Sequence, residues 1–521
     1  MNQLSEDVMK KTAILFLCVL ELCMLPCDPE SFAADRDPTQ VLEVRVENLT
    51  REKLIRLIEM GVDVDAVWQD SGRIYVWPEQ VQAIIELGYD LRIERIDPKA
   101  RQVRTEGYHS ITSLTQELID LAAAYPSICR LYSIGKSEEG RDLWVMKISD
   151  NVDTQEDEPE FSYISSMHGN EPVGMELCMN LIHLLLEKYG ELSGITRVVN
   201  EIEIWIMPLM NPDGYVLQTR YNVNGYDLNR SFPDRVSDPV NSPAGRPVEV
   251  QHVMNWAGSL APVLSANIHG GALVANYPYD SDPNRYAAYS AAPDDALFIQ
   301  QALTYSKLNG PMWNSPYFSQ GITNGVQWYQ LDGGIQDWHY IWRGCNHITL
   351  EISDDKWPPY SDIPQLWEDN REAMLAYMEW CLKGVRGIVT DSRRGPIAAT
   401  VQAVGIAHDV YTDPDTGDYH RMLLPGVYDL MFWTKGFATH MVKGVEVGSG
   451  DAVRVDVTLS PVALGDLNAD GEIGLGDGIL GLKAVCGEKD LPLIHQGAGL
   501  RADGKIGLED VVNILRRTTE K

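Results

Sequence analysis

The chain has 521 residues, of which 44% are hydrophobic and 23% charged, a balance that excludes a wholly disordered protein and predicts three or four packed domains. Its formal net charge of -32 excludes a nucleic-acid binder, because a phosphate backbone is held by an excess of Lys and Arg. The same charge suits a soluble protein that attracts basic peptides.

Lys10 and Lys11 precede an apolar run from Thr12 to Leu25 and then Ser31-Phe32-Ala33. A basic end, a short apolar core and a small-residue cleavage site predict a secretory signal over 1–33 of the type bacteria use for export, so the mature protein is expected to be secreted or periplasmic. Nothing downstream is long and apolar enough for an integral membrane segment. Beyond the signal remain Cys129, Cys178, Cys345, Cys381 and Cys486, an odd and scattered set with neither a disulfide framework nor a metal pattern.

Residues 34–104 alternate between strand and helix spacing in the order β-α-β-β-α-β, which predicts a small ferredoxin-like α+β domain. The polar, basic stretch from Asp97 to Thr105 that follows would be open to a trypsin-like protease. The leading domain is therefore either a removable segment or a permanent accessory.

From 107 to 383 strands and helices alternate, predicting an α/β domain with a mixed sheet, helices on both faces and a site at the strand C-terminal ends. One β-rich run ends in Ser166-Met-His-Gly-Asn-Glu171, where His168 and Glu171 can converge on a small cation. Later come Arg220, then Asn229-Arg230, then His269 at the end of an apolar strand, Asp280, Tyr340, and Glu351 inside another apolar strand. These segments, in this order, resemble the zinc metallocarboxypeptidases of the carboxypeptidase A superfamily, and most of all the carboxypeptidase N/E/D/M branch. The resemblance implies one catalytic zinc on His168, Glu171 and His269, with Glu351 as general base and Arg220 at the scissile carbonyl. It implies Asn229 and Arg230 on the substrate's terminal carboxylate, Tyr340 as the mobile tyrosine, and Asp280 as selector of a C-terminal Arg or Lys. The chemistry suits the residues: a guanidinium binds a carboxylate through two parallel hydrogen bonds, and a buried carboxylate can take a proton from water. The expected partner is a peptide or protein with a free C-terminus. The alternatives are a zinc amidase acting on a specialised peptide such as one of the cell wall, and a catalytically silent peptide-binding module.

Residues 384–461 carry short strands broken by turns, predicting a β-sandwich that resembles the transthyretin-like domain of the same branch. In 462–521, Asp466, Asn468, Asp470, Glu472 and Asp477 fall at the positions of an EF-hand-type calcium loop with Gly471 at the turn. The segment resembles a dockerin repeat and predicts one structural calcium ion and a cohesin-like or cell-surface partner. A second copy from Gly499 to Asp510 lacks two ligands.

Overall fold

The computed structural model describes residues 37–93, 106–393, 395–488, 491–499 and 504–519. The expected signal and the protease-sensitive stretch lie outside these residues, as does part of the second loop. No helix among the described residues is long and apolar enough to cross a membrane.

The leading domain is a four-stranded sheet with two helices. Its strands are β1 (Leu42–Glu47), β2 (Asp63–Trp68), β3 (Ser71–Val76) and β4 (Asp90–Ile93), in the order β2-β3-β1-β4, and its helices are α1 (Arg51–Glu59) and α2 (Pro78–Glu86). Every pairing is antiparallel. The Thr50 hydroxyl accepts from Lys53 N and so satisfies one of the free N–H groups at the start of α1. Leu54, Leu57, Val81 and Ile84 close the helices onto Val44, Val46, Ile74 and Val76.

The second domain is built on eight strands: β5 (Cys129–Lys136), β6 (Asp142–Ile148), β7 (Glu160–Ser165), β8 (Glu203–Met207), β9 (Pro262–His269), β10 (Ala272–Tyr277), β11 (Ile322–Asn324) and β12 (Asn346–Ser353). They lie in the order β11-β10-β12-β9-β7-β8-β6-β5. The central strands β12, β9, β7 and β8 run parallel, and the β10–β12, β6–β8 and β5–β6 pairs are antiparallel. Buried on both faces, β7, β8, β9 and β12 expose none of their residues, which is why their sequences read as continuous apolar runs. Helices α3 (Ile111–Ala124), α4 (Val173–Lys188), α5 (Ser193–Glu201), α7 (Asp295–Leu308) and α8 (Ile363–Met378) pack one face, and α6 (Val248–Gly258) packs the other.

Residues 385–458 form a sandwich of two four-stranded sheets closed over Val401, Leu430, Phe432 and Leu459. Its joint to the central domain is polar and buried. Arg421 of the sandwich, fully buried, donates to both carboxylate oxygens of Asp294 at 2.8 and 3.1 Å, and the Tyr340 hydroxyl donates to the same group at 2.9 Å. His408 of the sandwich stacks on the Tyr340 ring at 3.9 Å. Last, helices α9 (Leu475–Val485) and α10 (Leu508–Thr519) pack together over Leu467, Leu480 and Ile514. Cys129, Cys178, Cys345 and Cys381 are buried free thiols and Cys486 is exposed.

Removing one partner of a buried ion pair leaves the other charge desolvated, at a cost of about 3–5 kcal/mol. Arg421→Met is therefore expected to lower the unfolding free energy of the central domain and the sandwich together by an amount of that order, measured from urea unfolding followed by circular dichroism and tryptophan fluorescence.

Candidate active site

Parallel strands place their C-terminal ends along one edge, and the candidate residues gather there. His168 and Glu171 lie in the turn between β7 and α4, and His269 is the last residue of β9, the next strand. Glu351 on β12 is in register with His269. The turn after β7 is forced by two local features. Ser166 sits at φ +52, in the left-handed region, and its hydroxyl donates to Glu171 O at 3.1 Å, closing the loop on itself. Gly169 passes so close to the backbone at 214 that a Cβ there would lie 2.0 Å from Gly214 C.

His168 Nδ1, Glu171 and His269 Nδ1 form a cluster with edges of 3.1, 2.9 and 3.0 Å, all three residues being at least 97% buried. Donors about 2.0–2.1 Å from one tetrahedral ion stand roughly 3.3 Å apart, and two imidazoles with one carboxylate are a donor set that suits zinc and leaves one position for water. The three residues therefore fit the expected metal. The outer partners fit as well: His168 Nε2 faces Asp227 Oδ1 at 3.0 Å, a carboxylate–histidine pair of the kind that orients a ligand. Burial raises the Glu171 carboxyl, but the Lys356 ammonium and His168 outweigh it and hold the group well below its ordinary range. Burial, with Glu171 and Asp65 adding like charge, pushes Glu351 well above its range, and its Oε2 is buried without a partner.

Arg220, 2% exposed, reaches the same cluster. Its Nε donates to Asp227 Oδ2 at 2.8 Å and its Nη1 lies 3.1 Å from His168 Nδ1. Asn229 is fixed by Ile335 N, which donates to its Oδ1 at 3.1 Å, and Asn229 and Arg230 line the residual cavity of about 20 Å³ beside His269 and Glu351. Asp280 lines this cavity as well. Asn276 Nδ2 and Gln336 Nε2 each donate to its Oδ1 at 3.0 Å, while Asn276 Oδ1 and Gln336 Oε1 are buried without partners. Burial raises the Asp280 carboxyl to about 7. Only glycine allows this packing at 325, where a Cβ would stand 2.0 Å from Asp280 Oδ1. The Asp280 carboxyl is thus bonded by two amides that each keep a buried acceptor unsatisfied.

Tyr340 is a correction. It does not reach the cluster: it is 1% exposed, bonded to Asp294 and stacked under His408 at the joint with the sandwich. Tyr329 stands in the cavity instead, beside Glu351. The sequence holds both tyrosines in one aromatic stretch, and which one faces the site depends on the helical turn at Ile335–Trp338, which buries the later one. Asp227, Gln336 and Lys356 also belong to the site and were not singled out. The signal for Asp227 is its place in the Asn- and Asp-rich run two residues before Asn229.

The leading domain enters the site through β2. Asp65 Oδ1 accepts from Arg220 Nη1 at 2.7 Å and from Lys356 Nζ at 2.6 Å, and Asp63 Oδ2 accepts from Arg220 Nε at 3.0 Å. Main-chain oxygens of the same strand take Arg230 Nη2 (Val64 O, 2.7 Å), the Tyr329 hydroxyl (Asp65 O, 2.9 Å) and Trp328 Nε1 (Val67 O, 2.9 Å). Arg220, Arg230 and Tyr329 are thus each bonded to this strand. Outside this plug a cleft of about 620 Å³ remains open between the two domains.

In the calcium-type loop, Asp466 accepts from Asp470 N and Gly471 N, and Asp477 from Asn468 N and Gly474 N, while Asn468 Nδ2 donates to Asp470. Glu472 N donates to Asp470 Oδ1. The groups of three or more His, Cys, Asp or Glu within reach of one ion among the described residues lie elsewhere, at His168/Glu171/His269, Asp157/Asp418/His420 and Asp150/Glu156/Glu158.

Comparison with known proteins accords with this geometry. Residues 114–373 match the family model for zinc carboxypeptidases, and 384–460 match that for the carboxypeptidase regulatory-like domain. Human carboxypeptidase D is 43% identical over 376 residues, which cover 68% of this chain and 27% of the relative, so the chain spans about a quarter of that protein's length. The catalytic chain of human carboxypeptidase N is 38% identical over 393 residues, covering 68% of this chain and 85% of the relative. Among solved structures, the carboxypeptidase A of Helicoverpa armigera shares the fold, with a TM-score of 0.53 at 19% identity over 65% of this chain and 96% of that one.

The donor set predicts one zinc ion per chain. Titration followed by elemental analysis should give a stoichiometry of one for the wild type and close to zero for His269→Ala, with the fold unchanged by circular dichroism.

Proposed function

The chain belongs to the zinc carboxypeptidase family, and from that premise we propose that it is a zinc-dependent exopeptidase that removes the C-terminal residue of peptides or proteins and prefers Arg or Lys. The observation that carries this is the meeting, at one sheet edge, of the His168/Glu171/His269 donor set, an unpartnered buried Glu351 and a closed cup containing Asp280. A zinc ion in that donor set would polarise the scissile carbonyl and lower the pKa of water. Glu351 takes the proton of the attacking water and passes it to the leaving amine, the task for which a carboxyl raised by burial is suited. Arg220 steadies the oxyanion, whose charge develops only in the transition state. Asn229 and Arg230 hold the terminal carboxylate, and Tyr329 closes over it. Asp280, Asn276 Oδ1 and Gln336 Oε1 together offer acceptors that match the several N–H donors of a guanidinium or ammonium.

The leading domain is read as a latency segment. Asp65 occupies the space between Arg220 and Lys356, and its charge helps to keep Glu351 protonated, so its departure frees both the oxyanion site and the base. Cleavage in 97–105 would release it. The sequence supports export through 1–33 and one structural calcium ion in the loop from Asp466 to Asp477. Exposed Leu475, Ile479, Leu482 and Val485 at helical spacing on α9 support a docking role for the tail toward a cohesin-like or other cell-surface protein.

With matched peptides ending in Arg, Lys, Phe or Glu, chelator-sensitive release of Arg and Lys is expected, and loss of release from every peptide would remove this reading. Glu351→Gln should lower kcat by about 10²–10⁴-fold. Asp280→Asn should lower kcat/KM for Arg-ending peptides by about 10–100-fold and leave Phe-ending peptides little changed, since a hydrogen bond to a charged group contributes about 1.5–3 kcal/mol. Because the cation binds the ionised carboxyl, kcat/KM for Arg-ending peptides should rise with pH through about 7 and level off above it, a step that Asp280→Asn abolishes. Limited trypsin treatment of the full chain should raise activity as the fragment ending near 97–105 is lost, followed by mass spectrometry and peptide hydrolysis in parallel.

A further inference from the structure

Lys356 neither binds the expected metal nor moves a proton, yet it is almost wholly buried beside the groups that do. It is 7% exposed, a rare state for a lysine, and its Nζ donates to Glu171 Oε1 and to Asp65 Oδ1, each at 2.6 Å. A long side chain loses rotamer freedom when it is fixed, and here the fold does the fixing in advance. Gly271, two residues after His269, makes room for the lysine stem: a Cβ there would lie 3.0 Å from Lys356 Cε, and the backbone at φ +123 favours glycine. The next residue, Trp357, stacks on Tyr215 with ring centroids 5.4 Å apart and planes 9° apart, and its N donates to Asp355 Oδ1 at 3.2 Å. The loop after β12 thus delivers one pinned ammonium to the edge where the metal ligands stand.

The leading domain marks where that ammonium can work. Asp65 Oδ1 accepts from Lys356 Nζ at 2.6 Å and from Arg220 Nη1 at 2.7 Å, so a single anionic oxygen is held between the two cations. Asp65 lines the same cavity as His168, His269 and Glu351, which puts its carboxylate among the expected metal ligands and the base. It does not imitate a substrate's terminal carboxylate, because the arginine assigned to that group, Arg230, turns to Val64 O at 2.7 Å and to Asp63 Oδ1 at 3.4 Å. The Asp65 oxygen stands instead on Arg220, the group assigned to the scissile carbonyl. When β2 departs, Asp65 and the Tyr75 ring, 5.2 Å from Nζ, leave with it, and Glu171 remains as acceptor. An ammonium has three N–H donors, so the uncovered lysine keeps free donors beside Arg220.

We propose that Lys356 is a second oxyanion donor, its Nζ acting with Arg220 Nη1 on the oxygen of the scissile carbonyl. The inference rests on the reading of the chain as a carboxypeptidase with Arg220 at that carbonyl. As the water oxygen bonds to the carbonyl carbon and its proton passes to Glu351, the π pair of the C=O bond moves onto the oxygen between the two cations. The pair returns when the C–N bond breaks and the leaving amine takes the proton from Glu351. The attraction of a fixed ammonium for that oxygen grows as charge develops on it, so the lysine lowers the barrier without tightening the binding of substrate.

The test uses the zinc-loaded chain after limited trypsin treatment, with zinc content checked by elemental analysis. Lys356→Met should lower kcat for Arg-ending peptides by about 10²–10³-fold with KM little changed, the loss found when one oxyanion donor is removed. A phosphonate analogue of the same peptide, whose charged oxygens imitate the tetrahedral state, should bind more weakly by a similar factor in calorimetry. Wild-type kcat in fully zinc-loaded Lys356→Met, a defect that excess zinc repairs, or equal weakening of substrate and phosphonate overturns the proposal; the second of these makes the lysine a partner of Glu171 alone. Wild-type protein that releases no residue from any peptide overturns the underlying carboxypeptidase reading instead. Where Lys356→Met does not fold, a crystal structure of the cleaved wild type with the phosphonate decides. Lys356 Nζ within about 3.2 Å of the phosphonate oxygen that Arg220 holds sustains the proposal, and Nζ on Glu171 alone overturns it.

Discussion

A buried guanidinium sets the terms for the rest of the site. Arg220 is 2% exposed and touches Asp227, Asp63, Asp65 and His168. A desolvated cation persists only where opposite charge and hydrogen bonds answer it. The central domain supplies two permanent carboxylates, Glu171 at 3.7 Å and Asp227, the second of which burial would raise but Arg220 and His168 hold well below the carboxylate range. The leading domain supplies the others, and the same carboxylate of Asp65 also answers Lys356. Withdrawing β2 would leave Arg220, Arg230 and Lys356 facing a cavity with fewer negative groups, which is the electrostatic condition for drawing in a C-terminal carboxylate and a developing oxyanion. On the latency reading, one charge balance would serve the closed form and the substrate in turn.

The two attached domains hold the central one by different physics. Apolar residues of the leading domain merge with Ala272, Val274, Phe318, Trp328, Tyr329 and Leu331 in a continuous cluster, and the polar contacts across the joint divide between main-chain oxygens of β2 and the carboxylates of Asp63 and Asp65. In that joint the buried cations Arg220 and Lys356 belong to the central domain, and the leading domain supplies the carboxylates. The sandwich is joined through Arg421 and Asp294, both almost wholly buried, with Tyr340 and His408 stacked beside them. That pair cannot be separated without stranding a charge in the core. The sandwich is therefore part of the folded catalytic unit, and its hold on Tyr340 extends to Tyr279, 5.8 Å away and next to Asp280 in the chain.

Most of the central fold is legible in the sequence because period and termination coincide there. Apolar runs at β7, β9 and β12 end in residues that do chemistry, and the order of those residues along the chain is the order of a known family. What the linear sequence does not carry is facing. Tyr329 and Tyr340 both lie in an aromatic, glycine-rich stretch, and only the turn at Ile335–Trp338 decides that the first meets the cavity and the second the sandwich. Lys356 was invisible for the same reason, being a lone lysine in a polar loop until Asp65 and Glu171 are seen on either side of it. In the leading domain, the alternating pattern of β2 identifies a strand but not that Asp63 and Asp65 aim into another domain's site.

On the proposed specificity, the surroundings of Asp280 explain how a buried carboxyl near neutrality would select rather than merely attract. An ionised carboxylate there without a counter-charge would bear the full cost of desolvation, and its pKa near 7 reflects that cost. Two amide N–H groups already stabilise Oδ1, which keeps the group from being wholly protonated. A guanidinium or ammonium entering the cup supplies the missing charge and also the donors for Asn276 Oδ1 and Gln336 Oε1, whereas an apolar side chain satisfies none of the three and would leave the amide oxygens buried and unpaired. An acidic side chain adds repulsion to the same deficit. Discrimination, on that reading, would come as much from the penalty imposed on the wrong residue as from the bonds made to the right one.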